Sequence, residues 1–228
     1  MTIPCLWPED GVEPIDLAHV LAELGRRDPV LGRHIESVGG FALTGPTSTD
    51  GPFAALTRAI VYQQLTGKAA STILGRVLAL FPQNGFPTPE AMRAMPHRTL
   101  RAAGLSEAKA KAVHDLARHA AEGTIPSLEE LRRMPMDDII ERLTVVRGVG
   151  RWTVEMLLIF RVGHPDVLPV HDLGVRKGLA RLQRRKALPD EKALARRGER
   201  WRPWRSVASW YLWRAAELPP PQSRRRFP

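Results

Sequence analysis

Apolar residues recur at steps of three and four along most of this 228-residue chain, and prolines or glycines separate the segments that carry the spacing. Such spacing places apolar side chains on one face of a helix, and a proline or glycine ends the helix before it. No convincing run alternates apolar with polar residues, so strands are not indicated. The pattern predicts an all-α fold of many short helices. Their apolar faces run from Phe53 to Gln64, Ile73 to Leu80, Ala110 to Ala120, Leu128 to Met134, Ile139 to Val146 and Trp204 to Ala215.

Two of the predicted helices carry recognisable start signals. Ser106 precedes one apolar face and can cap its first turn. Ser127 precedes another and has Glu130 three residues later, which is the spacing of a capping box. After the last helix, residues 219–226 contain three prolines and three arginines, and we expect this tail to be frayed.

A single cysteine, Cys5, excludes several classes of protein. The chain cannot form a disulfide within itself, and it cannot supply the ligands of a cysteine-based zinc site or an iron–sulfur cluster. This usage is typical of a reducing compartment. The first residues lack the basic and apolar stretches of a signal peptide, and even a run as apolar as Met156 to Phe160 is too short to span a membrane. We therefore expect a cytoplasmic protein, nucleoid-associated if bacterial, with no membrane partner.

The charge of the chain is concentrated towards its end. The formal net charge is +10, and residues 176–228 hold 16 basic and 4 acidic side chains. An excess of this size indicates an anionic partner. A basic tail that is merely solvated is the alternative, since a charge count does not locate a binding site.

The stretch from Ile139 to Arg161 carries the most specific local pattern. One predicted helix ends near Val146 and the next begins at Trp152, with the sequence RGVGR between them. Two glycines around one apolar residue let the chain reverse with positive φ angles, and the second helix then presents its first amides to an anion. The pattern indicates either a helix–hairpin–helix that holds a phosphate or an ordinary tight turn between helices. It is not a dinucleotide-binding fingerprint, because no strand precedes it.

A stiff loop that contains Pro165 and Pro169 leads to Asp172 at the start of another predicted helix. An aspartate in this position is usually the N-cap of the helix. Here it follows the first hairpin glycine by 24 residues, and Arg176 and Lys177 come within about one helical turn after it. These neighbours make Asp172 a candidate functional carboxylate.

Several motifs, in a fixed order, resemble the helix–hairpin–helix DNA glycosylase superfamily. They are FAALTRAIVYQQLTGKAASTI, AAGLSEAKAKAVHDLA, GVGRWTVEMLLIF, HPDVLPVHDLGVRKGL and WRPWRSVASWYLWR, within residues 50–216. Within the superfamily they are most similar to the alkyladenine branch, the 3-methyladenine DNA glycosylase II type. The resemblance implies two helical subdomains with a DNA-binding cleft between them. Residues 55–165 would form a central helical barrel that ends in the hairpin, and residues 1–54 with 166–228 would form the second subdomain.

The resemblance also implies roles for individual residues. Asp172 matches the catalytic aspartate of the family. The residues expected to hold the DNA backbone are Arg147, Gly148, Val149, Gly150, Arg151, Arg176 and Lys177. The expected substrate pocket comprises Trp152, Met156 and Trp213. The expected wedge, which fills the gap left by an extruded base, is Gln63, Gln64 and Leu65. In relatives, hairpin carbonyls bind a monovalent cation, which implies Na⁺ or K⁺ on Thr144, Val146 and Val149.

Some of these residues also have plainer interpretations. The wedge residues can be ordinary residues at a helix end. His171 can orient the neighbouring carboxylate or face solvent, and we favour solvent. The remaining tryptophans near the end of the chain are better explained as packing residues, namely Trp201, Trp204 and Trp210.

The chain departs from parts of the family pattern. Bifunctional relatives place a lysine nucleophile just after the hairpin glycines, where this chain has Trp152, so we expect no Schiff base and no strand-cutting lyase reaction. The iron–sulfur cysteines of other branches are missing, and no other cofactor is required. About 50 residues precede the first motif, which is too few for the N-terminal β-rich domain of a well-known relative. Met156 stands where some relatives have an aromatic residue.

The resemblance implies a monofunctional N-glycosylase that flips alkylated bases, of the 3-methyladenine or 7-methylguanine type, out of double-stranded DNA. It would hydrolyse the glycosidic bond and leave an abasic site for base excision repair. The alternative is a damage-binding protein that kept the hairpin and lost catalysis, although a carboxylate among phosphates gives a binder no advantage. Because one chain holds one nucleotide, we expect a monomer. The basic segment would then form a cationic rim near Asp172, from Arg176, Lys177, Arg202 and Arg205.

Overall fold

A computed structural model of the chain describes residues 16–43, 51–82 and 85–218. These ranges contain helices and no β-strand, so the all-α prediction is confirmed. The helices are α1 (Leu17–Arg27), α2 (Pro29–Val38), α3 (Pro52–Tyr62), α4 (Gly67–Leu78), α5 (Pro89–Ala94), α6 (His97–Ala102), α7 (Glu107–Ala121), α8 (Leu128–Arg133), α9 (Met136–Thr144), α10 (Arg151–Leu157), α11 (Leu173–Leu182), α12 (Glu191–Gly198) and α13 (Arg205–Ala216). α10 continues as a π-helical turn, Leu158–Val162, and α12 continues as a 3₁₀ turn, Glu199–Trp201.

The predicted apolar faces fall on helices, with shifts at some ends. α3 ends before Gln64, whose φ angle of +56° is incompatible with a right-handed helix. The Ser127–Glu130 capping box is present, and Ser106 caps α7 as expected. The patterns above do not predict α1, α2, α5, α6 and α12. The expected frayed tail and Cys5 lie outside the described residues.

The chain divides into two compact units, one of residues 46–157 and one of residues 1–45 with 158–228. The boundaries expected from the sequence, at residues 55 and 165, lie nine and eight residues further along the chain. In the unit of residues 46–157, α7 packs against α3, α5 and α6, and α10 packs against α3 and α9. In the other unit, α1, α2, α11 and α13 surround a core that includes Leu24, Leu31, Trp201 and Tyr211. No helix in the described ranges is long and apolar enough to cross a membrane.

One buried carboxylate connects the elements of this second core. Asp28 is 1% exposed and caps α2 through the backbone amides of Val30 and Leu31. The Arg197 guanidinium donates to both of its oxygens at 2.8 and 2.6 Å, and the Trp201 indole donates to Oδ2 at 3.0 Å. Burial by itself raises the pKa of Asp28, but the hydrogen bonds from Arg197 and Trp201 outweigh it and hold the pKa below the ordinary value of 3.8.

We expect the free energy of unfolding to fall as the pH drops below about 4, and Asp28→Asn to lessen this dependence. A carboxyl whose pKa is lower in the folded state stabilises the fold above its unfolded pKa, and this stabilisation is lost as the pH falls through the folded pKa. Urea unfolding of both proteins between pH 6 and pH 3 measures the difference. An identical pH slope in the two proteins would mean that Asp28 does not titrate differently on unfolding.

Candidate active site

The carboxylate of Asp172 is half-buried and is held at the start of α11 by two hydrogen bonds. Its Oδ1 accepts from the backbone amide of Val175 at 2.8 Å and from the Trp213 indole Nε1 at 2.9 Å. The first bond is the N-cap interaction expected for an aspartate here. The second bond involves a residue 41 positions later, so tertiary structure as well as the local cap orients this carboxylate.

Trp213 is itself fixed by an aromatic stack. Its ring lies on Phe160 with centroids 5.6 Å apart and planes inclined by 23°. Phe160 belongs to the π-helical turn that follows α10, and π-helical turns occur frequently at functional sites. One face of the Trp213 ring is therefore covered by protein, and its N–H is occupied by Asp172. The assignment of Trp213 to a substrate pocket stays a prediction.

The loop that leads to Asp172 is attached to α13 by buried polar groups. Ser206, which is fully buried, donates its backbone amide to Pro165 and accepts from the Val167 amide through Oγ. The Arg205 guanidinium binds the Asp166 carboxylate at 2.6 and 3.0 Å and also the Asp166 carbonyl. Because the same helix carries Trp213, α13 fixes both the loop and the carboxylate at its end.

These contacts correct part of the expected cationic rim. The Arg205 side chain is 9% exposed and is bound to Asp166, so it is an internal residue. Arg202 pairs with Asp166 at 2.6 Å and with Glu199 at 2.9 Å, so both arginines neutralise carboxylates of the protein. Arg176 donates Nε to the carbonyl of Pro189, while Lys177 is exposed.

The helix that Asp172 caps lies very close to α13. A Cβ atom at Gly178 would overlap the carbonyl oxygen of Leu212 and would lie 2.6 Å from its carbonyl carbon. Only glycine permits this approach, because the neighbouring atoms belong to the backbone and cannot rotate away. The approach places the start of α11 within hydrogen-bonding distance of Trp213.

In the unit of residues 46–157, the turn between α9 and α10 is a helix–hairpin–helix. Gly148 has a φ of +78°, which an L side chain rarely adopts, whereas Gly150 does not have a positive φ. The expectation that both glycines adopt positive φ is therefore wrong, since one left-handed residue suffices to reverse the chain. Val146 and Val149 are buried, and Arg147, Gly148 and Gly150 are exposed. The apolar residues thus anchor the turn while its polar edge faces outward.

Side chains from α7 and from the connection between α3 and α4 hold this hairpin. The Arg147 backbone amide donates to Asp115 Oδ2 on α7 at 2.8 Å, and Gln63 Nε2 donates to the carbonyl of Gly148 at 2.9 Å. Burial raises the pKa of Asp115, but the bonds from the Arg147 amide and the Arg118 guanidinium outweigh it, so its pKa lies below the ordinary value. Asp115 is therefore an ionised anchor for the turn at neutral pH.

The exposed side chains of this region differ in their partners. The Arg147 guanidinium makes no hydrogen bond or ion pair with the described residues. Arg151 donates Nε to Glu155, whose carboxylate is 2% exposed. Trp152 is 47% exposed at the start of α10, and Met156 lies one turn later on the same side of the helix. The structure therefore places the two predicted pocket residues of α10 on one face.

The predicted wedge residues form the short connection from α3 to α4. Lys109 Nζ binds the carbonyls of Val61 and Gln63 at 2.7 Å each and so fixes the connection to α7. Gln63 is directed to the hairpin, as described above. Gln64, with its left-handed backbone, and Leu65, which is 39% exposed, are the residues that face solvent.

The carbonyls expected to bind a monovalent cation belong to the end of α9 and the hairpin. The last carbonyls of a helix lack intrahelical partners and carry partial negative charge, so an oxygen set at Thr144 and Val146 suits a monovalent cation. The Val146 carbonyl accepts the Val149 amide at 3.0 Å and retains a second lone pair. The donor set therefore fits the ion chemically.

The other aromatic and histidine residues singled out by the sequence have structural partners. Trp201 is fully buried, and Trp204 and Trp210 pack against the same core, so the packing interpretation is confirmed. His171 lies 3.0 Å from the carboxylate of Glu191 and is half-exposed.

Sequence reasoning missed several residues that position the site. Asp115, Lys109 and Asp166 are charged residues in helices or loops, and nothing in their local pattern separates them from solvated charges. Their partners lie 32, 46 and 39 residues away in the chain, so only the folded chain identifies them.

Comparison with known proteins identifies the family to which this chain is similar. The chain matches the model of the HhH-GPD superfamily of base excision DNA repair proteins over residues 57–203. It is 38% identical over 218 residues to the DNA-3-methyladenine glycosylase 1 of Schizosaccharomyces pombe, which covers 96% of this chain and 95% of that protein. A solved structure of a 3-methyladenine DNA glycosylase from the same yeast, in complex with abasic DNA, is similar with a TM-score of 0.78 and 36% identity, over 88% of this chain and 97% of that one.

A second solved structure agrees. It is a DNA-3-methyladenine glycosidase from Bacillus halodurans, similar with a TM-score of 0.78 and 34% identity, over 87% of this chain and 89% of that one. The family match covers well over half of the chain, and the two solved structures share its helical architecture. The chain therefore belongs to the HhH-GPD superfamily of base excision DNA repair proteins.

Proposed function

We propose that this protein is a monofunctional DNA N-glycosylase that removes alkylated bases, of the 3-methyladenine and 7-methylguanine type, from double-stranded DNA. The abasic product then enters base excision repair. The observation that carries the proposal is the Asp172 carboxylate, which is oriented by the Val175 amide and the Trp213 indole in a chain of this family. The similarity to a DNA-3-methyladenine glycosylase over nearly the whole chain supports the same substrate class.

The reaction needs little protonation of the leaving base, but it needs a fixed negative charge beside the sugar. A purine alkylated at N3 or N7 is cationic, so the bond between C1′ and the base nitrogen breaks with its electron pair passing to the base, which leaves as a neutral molecule. Positive charge then develops on the sugar, and the preorganised Asp172 carboxylate stabilises it. A water oxygen forms the new bond to C1′ and loses one proton to the solvent, which completes the hydrolysis.

The extruded base needs an aromatic environment that suits its charge. The exposed Trp152 offers a π face to a cationic purine, worth roughly 0.5–2 kcal/mol. Met156, on the same side of α10, supplies a flexible apolar contact that adapts to bases of different shape. We assign Trp213 the role of holding Asp172 in place.

Extrusion of the damaged nucleotide from the duplex costs a few kcal/mol. A side chain that fills the space left in the duplex and contacts with the DNA backbone offset this cost. We assign the wedge to Gln64 and Leu65, because Gln63 is hydrogen-bonded to the hairpin. The hairpin amides with Arg147 and Arg151 would hold a phosphate, aided by a Na⁺ or K⁺ ion on the carbonyls of Thr144, Val146 and Val149. A bound cation there would supply positive charge towards the DNA backbone. Lys177 and Arg176 would contribute further phosphate contacts.

The proposal is tested by incubating the native protein with a duplex that holds a single 7-methylguanine. We expect free base and an abasic site in equal amounts, with the strand left uncut until alkali is added. Binding without release of base, from this duplex and from duplexes with 3-methyladenine, would support the non-catalytic alternative. Borohydride is expected to trap no covalent adduct, since Trp152 occupies the place of the lysine nucleophile. An adduct would contradict the monofunctional assignment.

A further inference from the structure

A basic cleft lies at the opposite end of α11 from Asp172. It has a volume of about 720 Å³ and is formed by the last turn of α11, the residues that follow it and α2. Four arginines line it, Arg33, Arg181, Arg184 and Arg185, and no aspartate or glutamate does. α11 has 10 residues, so the cleft and the Asp172 cap are about 15 Å apart along the helix.

The guanidinium groups of this cleft have no partners among the residues that the structure describes. None of the four side chains makes a hydrogen bond or an ion pair with any residue in the described ranges. Arg181 Nη1 is in addition buried and without a hydrogen-bond partner. Buried donors are nearly always paired in native structures, because an unpaired one loses its bonds to water without replacement. An anionic ligand would supply the missing acceptor.

The backbone at the end of α11 holds two of these arginines in place. The Arg185 amide donates to the Ala180 carbonyl and the Arg184 amide to the Arg181 carbonyl, which is the pattern of a Schellman motif. The left-handed position of this motif usually holds glycine, but here it holds Arg184, with a φ of +52°. One or two cations at a helix C-terminus are explained by the helix dipole. Four of them in one cleft repel one another, so the dipole does not account for the cluster.

We infer that this cleft binds the phosphodiester backbone of DNA, at a contact separate from the one that places the damaged nucleotide at Asp172. The inference rests on the proposed function, because it takes DNA as the polyanion this chain meets. Guanidinium groups match phosphate oxygens through paired N–H donors, and such contacts are independent of sequence. The cleft holds undamaged DNA against the protein and so favours retention on the duplex between lesions.

An acidic protein segment is the competing ligand, and the lining of the cleft disfavours it. Protein interfaces are centred on buried aromatic or large apolar anchors. Here Val30 and Leu182 are the apolar side chains of the lining, and no aromatic ring other than the imidazole of His34 takes part. The His34 ring is already bonded to the carbonyl of Tyr211. The cleft therefore offers charge and hydrogen-bond donors and almost no apolar surface.

The test is the salt dependence of binding to undamaged duplex DNA, compared between the native protein and a variant with Arg181→Gln and Arg185→Gln. Each phosphate contact contributes about 0.9 to the slope of log K against log salt. We expect the double variant to lower the magnitude of the slope by about 2 and to weaken binding at least tenfold at about 0.1 M salt. A second variant, Arg33→Gln with Arg184→Gln, removes two exposed guanidiniums of the cleft and is expected to act in the same direction.

The matched control is Arg196→Gln with Arg200→Gln, which removes two exposed arginines that do not line the cleft. It changes the net charge by the same amount, so a purely global charge effect would lower the slope equally in all three variants and would overturn the inference. Thermal unfolding by circular dichroism identifies a variant that fails to fold. An unchanged slope in both cleft variants would also overturn the inference. So would cleft variants that lose binding to poly-glutamate, the probe for an acidic protein segment, while they bind DNA as the native protein does.

Duplex length distinguishes the two sources of phosphate. If the cleft binds the duplex that holds the lesion, the variants will weaken binding to a long duplex and leave a duplex trimmed close to the lesion unaffected. If it binds a second duplex, native protein will bridge two labelled duplexes and the variants will not. Both outcomes support the inference, and the absence of both overturns it. Failure of the native protein to release base would contradict the proposed function, whereas binding to undamaged DNA is measured independently of base release.

Discussion

We expect replacement of Asp172 by asparagine to lower the rate constant for base release by about 10²–10³-fold and to leave the fold and the affinity for DNA unchanged. The carboxylate supplies a fixed negative charge where the sugar becomes positive, and the amide of asparagine has no charge to offer. The rate constant is measured with enzyme in excess over a duplex that contains one 7-methylguanine, so that binding is saturated and chemistry is observed.

The hydrogen bonds of Asp172 explain why the variant is expected to fold. Its Oδ1 accepts both the Val175 amide and the Trp213 indole, and the side-chain carbonyl of asparagine can accept the same two bonds. Asp190→Asn is the matched control, because Asp190 caps α12 through the Ala193 amide in the same way and has no assigned role in the reaction. Comparable losses of rate in the two variants, or an unaffected rate in Asp172→Asn, would contradict the assignment of Asp172.

Trp213→Phe tests the same site and is expected to lower the rate constant less than Asp172→Asn does. Phenylalanine keeps a ring to stack on Phe160 but loses the N–H that binds Asp172. A hydrogen bond to a charged group contributes about 1.5–3 kcal/mol, so we expect the rate constant to fall by roughly tenfold or more. A rate equal to that of the native protein would show that the N–H does not help to place the carboxylate.

Gly178→Ala is expected to lower the free energy of unfolding by about 3 kcal/mol or more, although alanine is the better helix former. The added Cβ overlaps the backbone carbonyl of Leu212, so α11 and α13 must move apart. For a chain of this size such a loss lowers the Tm by about 6–12 °C. Scanning calorimetry or circular dichroism measures the shift.

Gly75→Ala is the control for this substitution. Gly75 lies within α4, and a Cβ there would meet no atom within 4 Å. Alanine at this position is expected to stabilise the protein by about 0.4–1 kcal/mol. A Tm for Gly178→Ala at or above the native value would mean that α11 and α13 are not in the close contact described. We also expect Gly178→Ala to slow base release, because separation of the helices moves Trp213 away from Asp172.

The sequence predicted the local elements of this fold well because each depends on neighbouring residues. The capping box at Ser127 needs only the residues of one helical turn, and the apolar spacing from Ala110 to Ala120 needs only one helix. The hairpin between α9 and α10 is local too, and Gly148 adopts the left-handed conformation that its sequence favours. The prediction failed at Gly150, where a second glycine in the motif does not require a second positive φ.

The roles of the basic residues were predicted least accurately from the sequence. Arg202 and Arg205 contribute to a basic segment, yet both pair with Asp166, which belongs to a loop about 40 residues earlier. Arg181, Arg184 and Arg185 belong to the same segment and have no protein partner in the described ranges. The net charge of a segment does not distinguish these two groups, because pairing depends on which distant carboxylates the fold brings near.

The sequence by itself determined the helical class, the hairpin and the position of Asp172 at the start of a helix, because helix periodicity, capping and turn formation act over a few residues. The tertiary structure alone decided how that carboxylate is held. The Trp213 bond, the Phe160 stack, the Asp166–Arg205 pair and the contact at Gly178 all join residues distant in the chain, through packing of α11, α13 and the loop between 163 and 171. Hydrogen bonds and close contacts act only over a few ångströms, so folding must bring these residues together before they can orient the site.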